Sequence, residues 1–196
     1  MTVRLLIVGP QGSGKGTQGV RIAETFGVPA ISTGDVFRTA IKDGTELGAQ
    51  VQSILEAGTL VPDELTSAVV RERLGRDDAA GGFLLDGYPR NVGQVADLDA
   101  FLASRDEGLD AVLELDVPRE ESIARLTLRA AEQGRTDDTE EVIARRLSIY
   151  ETETAPILGV YRERGLVARI DGVGSLDEIT ERIVTALIAR GLTPLS

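Results

Sequence analysis

The 196-residue chain contains no cysteine and no histidine. Disulfides, zinc sites built on cysteine or histidine, and catalysis through imidazole or thiolate are therefore excluded. Chemistry on this chain must use carboxylates, lysine, arginine, hydroxyls, backbone groups or a borrowed metal ion. Aromatic residues are scarce at 4%, so the core must be mostly aliphatic. Net positive charge is missing too: the formal charge is −11. Such a surface repels nucleic acid and anionic lipid, so any phosphate site must be a local basic pocket in an acidic protein. No apolar stretch approaches membrane-span length, and the run Leu5 to Val8 behind Arg4 is too short for a signal peptide. A cytoplasmic location is the expectation, and the lack of cysteine suits a reducing compartment.

What is present is an alternation of strand and helix patterns in a chain long enough for one sizeable core. Val3 to Val8 is an apolar run without alternation, as expected of a strand buried on both faces of a parallel sheet. Similar runs lie at Val28–Ile31, Phe83–Leu85, Ala111–Leu115 and Val167–Ile170. The last three end at Asp86, Asp116 and Asp171. Leu176, Ile179, Ile183, Leu187 and Ile188 share one helical face, with a Ser175/Glu178 capping box before it and Gly191 closing it. Asp138 and Glu141 have the same spacing ahead of a long helix from about Thr139 to Arg164, which Pro156 should kink. Pro118 fits the first position of another helix. The predicted fold is α/β: a five-stranded parallel sheet with helices on both faces, forming a single domain over 1–196. Residues 32–61 and 128–138 break the rhythm and read as insertions over the ligand edge of the sheet.

Gly9-Pro10-Gln11-Gly12-Ser13-Gly14-Lys15-Gly16-Thr17 joins the first strand to a helix. Glycines let backbone N–H groups turn toward a phosphate chain, and the helix N-terminus adds partial positive charge. Lys15 can reach the outer phosphates. Gly16 stands where the strict motif has serine or threonine, with Thr17 following. Phe83-Leu84-Leu85-Asp86-Gly87-Tyr88-Pro89-Arg90 is the second signal. An acid at the carboxyl end of a central strand sits beside the phosphate loop in such sheets. Asp86 could hold Mg²⁺ through water, or simply cap a turn, as strand-ending aspartates do.

These segments, taken in order with Ser32-Thr33-Gly34-Asp35-Val36-Phe37-Arg38, Gly58-Thr59-Leu60-Val61-Pro62-Asp63, Gly134-Arg135-Thr136-Asp137-Asp138, Arg146, Tyr150 and Pro156, resemble the adenylate kinase family over nearly the whole chain. The resemblance implies reversible phosphoryl transfer between ATP and AMP, giving two ADP, with Mg²⁺ as cofactor. It implies that Gly12, Ser13, Gly14, Lys15, Gly16 and Thr17 wrap the ATP phosphates, with Arg129 near ATP and Gly174 touching its base. Thr33 and Arg38 would bind AMP, and Thr59, Leu60 and Val61 would line its adenine pocket, largely through backbone. Gly87, Tyr88, Pro89, Arg90 and Gln94 would complete that site. Arg135 and Arg146 would clamp the phosphates, and Lys15, Arg90, Arg135 and Arg146 form the implied catalytic set. Residues 32–61 would be a mobile AMP-binding segment and 128–138 a short lid. The expected partners are the two nucleotides, without nucleic acid or membrane, and the chain is expected to act as a monomer.

Several residues also carry plainer readings. Gln94 lies three residues after Asn91, a capping spacing. Arg129, Arg145 and Arg146 could be solvated helix charges, and adjacent Arg145 and Arg146 cannot both face one site. Pro10-Gln11 departs from the more familiar Ala-Pro of the family's loop. The short lid cannot carry the cysteine-ligated zinc of some relatives, so no zinc is expected. A kinase for UMP or CMP is the nearest alternative. Thr33, shared by adenylate kinases and usually a smaller residue in pyrimidine kinases, separates the two. A nucleotide-sensing protein without turnover would be expected to lack the phosphate lysine or arginines, which are present here.

Overall fold

A computed structural model describes residues 2–133 and 139–195, with the backbone alone at 129–133. Its strands are β1 (Val3–Val8), β2 (Ala30–Ser32), β3 (Gly82–Asp86), β4 (Ala111–Asp116) and β5 (Val167–Asp171). They form one parallel sheet in the order β2-β3-β1-β4-β5. The helices are α1 (Lys15–Phe26), α2 (Thr33–Lys42), α3 (Glu46–Glu56), α4 (Asp63–Leu74), α5 (Val92–Ala103), α6 (Arg119–Gln133), α7 (Glu140–Ile149), α8 (Ala155–Glu163) and α9 (Leu176–Ile188).

The absence of alternation in β1 has a direct cause. Val3, Leu5 and Ile7 face a core layer shared with Ile22 and Phe26 of α1 and Ile179 and Ile183 of α9. Leu6 and Val8 face the opposite layer, built with Val70 of α4, Leu98 of α5 and Leu158 of α8. Both faces need apolar side chains because both are covered by helices. Leu5 and Leu6 have no exposed surface, and burying a leucine contributes about 1.5–3 kcal/mol.

Residues 32–61 build a small unit of their own. Ser32 ends β2 and caps α2, its Oγ accepting from the Asp35 N–H at 3.3 Å. Phe37, Val51 and Val61 form a separate apolar cluster between α2, α3 and the following loop. Helices α2 and α3 meet at Gly48, whose N–H donates to Thr45 Oγ1 at 3.1 Å. A Cβ on Gly48 would lie 2.2 Å from the Ala40 carbonyl oxygen, so only glycine permits this approach.

Several local expectations shift. The second strand starts two residues later than the apolar run suggested, at Ala30. Pro118 does not occupy the first helical position. Its carbonyl accepts the Ser122 N–H at 3.0 Å, which makes it the cap of α6. Residues 128–133 continue α6, while 134–138 lie outside the described residues. Thr139, not Asp138, caps α7, its Oγ1 accepting from the Val142 N–H. The long helix predicted over 139–164 is interrupted by a π turn at Tyr150–Thr154 just before Pro156. That turn includes Thr152, whose carbonyl an uninterrupted helix would drive into the proline ring. The Ser175/Glu178 capping box is present, and Gly191, at φ 84°, closes α9 as expected: its N–H donates to the Ile188 carbonyl at 2.9 Å and the Leu192 N–H to the Leu187 carbonyl at 3.1 Å.

Substituting Gly48→Ala should push α2 from α3 and cost about 1–3 kcal/mol. Urea unfolding monitors it, and an unchanged midpoint would show that the two helices part freely.

Candidate active site

The phosphate loop follows β1 directly. Its Gly14 adopts φ 90° and caps α1 without a side-chain hydrogen bond, so no side-chain oxygen closes that helix end. Gly12, at φ 80°, passes so close to α6 that a Cβ there would lie 2.4 Å from the Ser122 carbonyl oxygen and 2.9 Å from Leu126 Cγ. The Lys15 ammonium donates to the Gly9 and Pro10 carbonyls at 2.7 and 2.8 Å, which holds its head over the loop.

Parallel pairing places Asp86 opposite Ile7, at the end of the neighbouring strand. A Cβ on Gly16 would sit 3.8 Å from Asp86 Oδ2, so the carboxylate lies against the start of α1. Burial on the cleft floor pushes the Asp86 carboxyl up, against the opposing pull of Lys15 and Arg90. The same desolvation pushes the Arg90 guanidinium down from its ordinary value.

From the loop a cleft of about 700 Å³ runs to the segment formed by α2, α3 and the Gly58–Leu60 turn. Among the described residues four arginines line it, each held by a neighbour. Arg38 pairs with Asp35 at 2.5 Å and lies over side-chain-free Gly34. Arg90 Nε donates to the Gly87 carbonyl at 2.8 Å. Arg146 Nη2 donates to the Leu55 carbonyl at 3.1 Å. Arg125 pairs with Glu121 at 2.7 Å and donates to the Gly172 carbonyl at 3.1 Å.

The expected site residues divide on this geometry. Residues 12–17, Arg38, Thr59, Leu60, Asp86, Gly87, Pro89, Arg90, Arg146 and Gly174 all line the cleft. Thr33, Val61, Tyr88 and Gln94 are buried behind its wall instead. Thr33 Oγ1 donates to the Gly87 carbonyl at 3.0 Å. The Val61 side chain packs with Phe37 and Val51. The Tyr88 hydroxyl lies 2.9 Å from Ser67 Oγ, turned toward α4. Gln94 Oε1 accepts the Arg90 N–H at 2.8 Å, and its backbone N–H donates to Asn91 Oδ1 at 2.9 Å. Arg145 donates to the Ala57 carbonyl at 3.1 Å and is not among the residues lining the cleft. Arg129 belongs to α6, and Arg135 lies outside the described residues.

Arg125, Glu121 and Tyr150 line the cleft without having been assigned a role from sequence. Arg125 precedes Arg129 by four residues, but that spacing does not separate a helical arginine facing a cleft from one facing solvent. Nothing in the sequence signals that the π turn brings Tyr150 to the wall. Burial there, with Glu114 and Asp116 nearby, pushes its hydroxyl up to about 12.

Sheet order, glycine loop and arginine-lined cleft define a P-loop nucleotide-binding protein of phosphotransferase type. Comparison with known proteins narrows this. The family model for adenylate kinase matches residues 7–166. The chain is 58% identical to the adenylate kinase of Kocuria rhizophila over 184 residues, 94% of this chain and 98% of that protein. It is 57% identical to that of Leifsonia xyli over 192 residues, 98% of this chain and 96% of that protein. With the Bifidobacterium longum enzyme it shares 53% over 185 residues, 94% of this chain and 100% of that protein. The chain belongs to the adenylate kinase family, whose reaction is reversible phosphoryl transfer between ATP and AMP to give two ADP. Such kinases generally use Mg-ATP. Among the described residues, no helix is long and apolar enough to cross a membrane.

Gly12→Ala should weaken ATP binding about tenfold or more, because the loop must shift off Ser122 and Leu126. Equilibrium ATP titration beside a far-ultraviolet dichroism spectrum tests this. Parent-like affinity with an intact spectrum would mean that the close approach does not shape the loop.

Proposed function

We propose that the two ends of the cleft take the two nucleotides, ATP on the phosphate loop and AMP against residues 32–61, with the lid formed by 128–138. The observation that carries this reading is one continuous cleft, lined at one end by Gly12–Thr17 and at the other by Arg38, Thr59 and Leu60. ATP phosphates lie along the loop N–H groups and Lys15. Arg125, Arg129 and Gly174 flank the ATP nucleoside, and Arg135 and Arg146 serve the transferring phosphoryl from the lid side. Arg38 and Arg90 hold the AMP phosphate. Thr33, Thr59 to Val61, Gly87 to Pro89 and Gln94 shape the AMP pocket, some through backbone and some by holding neighbours in place.

In the reaction an AMP phosphate oxygen attacks the γ-phosphorus in line. The new O–P bond forms as the bond to the β-bridging oxygen breaks, and ADP leaves from each side. The attacking phosphate is already ionised at neutral pH, so no general base is needed, which suits a chain without histidine. Catalysis is then positioning and charge neutralisation. The donor set fits Mg²⁺: one carboxylate, Asp86, beside the loop leaves room for the waters and phosphate oxygens that this ion prefers. When bound, Mg²⁺ neutralises charge on the β- and γ-oxygens. Zinc has no part in this scheme.

Arg90→Ala should lower kcat about 10³-fold with folding intact, read in a coupled ADP assay. Turnover near the parent value would remove Arg90 from the reacting groups. Chelation should abolish activity, and Mg²⁺ without zinc should restore it; restoration by zinc alone would refute the metal assignment. With AMP, dAMP, UMP, CMP and GMP offered in parallel, AMP should be strongly preferred. Preference for a pyrimidine would overturn the role given to Thr33 and Gln94.

A further inference from the structure

Asp63 is exposed, sits in the first turn of α4, and is not among the residues lining the cleft. Yet its carboxylate gathers two side-chain amides from the start of α5. Asp63 Oδ1 accepts from Gln94 Nε2 at 2.8 Å and from Asn91 Nδ2 at 2.9 Å, and Oδ2 accepts from Asn91 Nδ2 at 3.1 Å. At its other end the Gln94 amide accepts the Arg90 N–H at 2.8 Å. Gln94 itself is 1% exposed, so it has little water to substitute for these partners.

The two neighbours of this amide are chemically one-sided. A carboxylate only accepts, and a backbone N–H only donates. Turning the amide over would set oxygen against carboxylate and NH₂ against N–H, two repulsive contacts at a buried group. The side chain is therefore held with its oxygen toward Arg90 and its nitrogen toward Asp63. One amide hydrogen and one oxygen lone pair remain beyond these contacts.

We infer that Asp63 is a specificity-determining positioning residue: through its hold on Gln94 it selects a 6-aminopurine acceptor over a 6-oxopurine. This rests on the reading that Gln94 belongs to the AMP pocket. An amide held this way must meet a base that brings a donor to its oxygen and an acceptor to its nitrogen. Adenine carries that pair side by side, the 6-amino group and N1. Hypoxanthine and guanine carry the reverse, a 6-oxo group and N1–H, and would need the amide turned over. Asp63 never touches the nucleotide in this scheme; it acts by making the wrong orientation costly.

The test measures kcat/KM for AMP and for IMP with ATP saturating, in the parent, Asp63→Asn, Asn91→Ala and Gln94→Ala enzymes, alongside thermal melts. In Asp63→Asn the introduced amide can present oxygen or NH₂ to Gln94, so the turned orientation meets one repulsive contact, at the Arg90 N–H, instead of two. The AMP-over-IMP ratio should fall about tenfold or more, with the loss in KM for AMP and with KM for ATP unchanged. Asn91→Ala removes the α5 cap and the Asn91 contacts to Asp63, so it should lower the melting temperature but keep the ratio. A ratio in Asp63→Asn within about twofold of the parent overturns the inference, as does an equal fall in Asn91→Ala, which would mark a merely structural effect. If Gln94→Ala raises KM for AMP while Asp63→Asn keeps the ratio, Asp63 alone loses its role. If Gln94→Ala leaves KM for AMP unchanged, the AMP-pocket reading of Gln94 falls and takes this inference with it.

Discussion

Parallel pairing of β1 with β3 is the constraint on which the site depends. Two parallel strands run in one direction, so the segments that leave them emerge at the same edge. Ile7 stands opposite Asp86, and beyond this pair the chain enters the glycine loop on one side and the Gly87–Arg90 turn on the other. β4 pairs on the far side of β1, Val8 opposite Glu114, and leads into α6, against which Gly12 packs. Shifting β1 by a single residue would exchange its two buried faces and separate the loop from Asp86 together.

Charge is distributed to match. The chain carries 32 acidic residues against 21 basic ones, yet among the described residues four arginines and Lys15 line one cleft. Backbone carbonyls, of Gly9, Pro10, Leu55, Gly87 and Gly172, are among the oxygens that orient them. A carbonyl directs a cation without cancelling its charge, and a guanidinium has five donors, so one or two such bonds fix it without exhausting it. An acidic exterior around a basic cleft concentrates the field where phosphates belong and weakens it elsewhere.

The fold was largely legible because its signals are strong and local. Unbroken apolar runs between helical patterns imply strands covered on both faces, and the glycine loop announces where the first one ends. Terminal details were less legible, since they turn on single hydrogen bonds. Thr139 rather than Asp138 caps α7, and Pro118 precedes its helix rather than opening it. Among the site residues, those on the loop and the strand-end turn could be named from their order alone. Arg125 could not, because a helical arginine looks the same whether it faces solvent or a cleft. Tyr150 depends on a π turn that no spacing predicts. The resemblance assigns Thr33 and Gln94 to the AMP site, but the hydrogen bonds of their side chains are with the protein, and only tertiary structure reveals that.

Those contacts form one chain. Thr33 and the Arg90 side chain both donate to the Gly87 carbonyl, the Arg90 N–H donates to Gln94, and Gln94 donates to Asp63. The chain joins the starts of α2, α4 and α5 to the end of β3. Residue 90 takes part twice: its guanidinium lines the cleft, while its backbone fixes the amide of Gln94. Phosphate and base lie at opposite ends of one nucleotide, and in this arrangement the groups proposed to read them share a single backbone segment. A displacement of the Gly87–Arg90 turn must therefore disturb both readers together, because each is hydrogen-bonded to it. Three of the four links in the chain use a backbone group, so most of its geometry is set by where β3 ends. The Gln94–Asp63 link is the one made between two side chains, which is why altering Asp63 can disturb the reading of the base while leaving the sheet and the phosphate loop untouched.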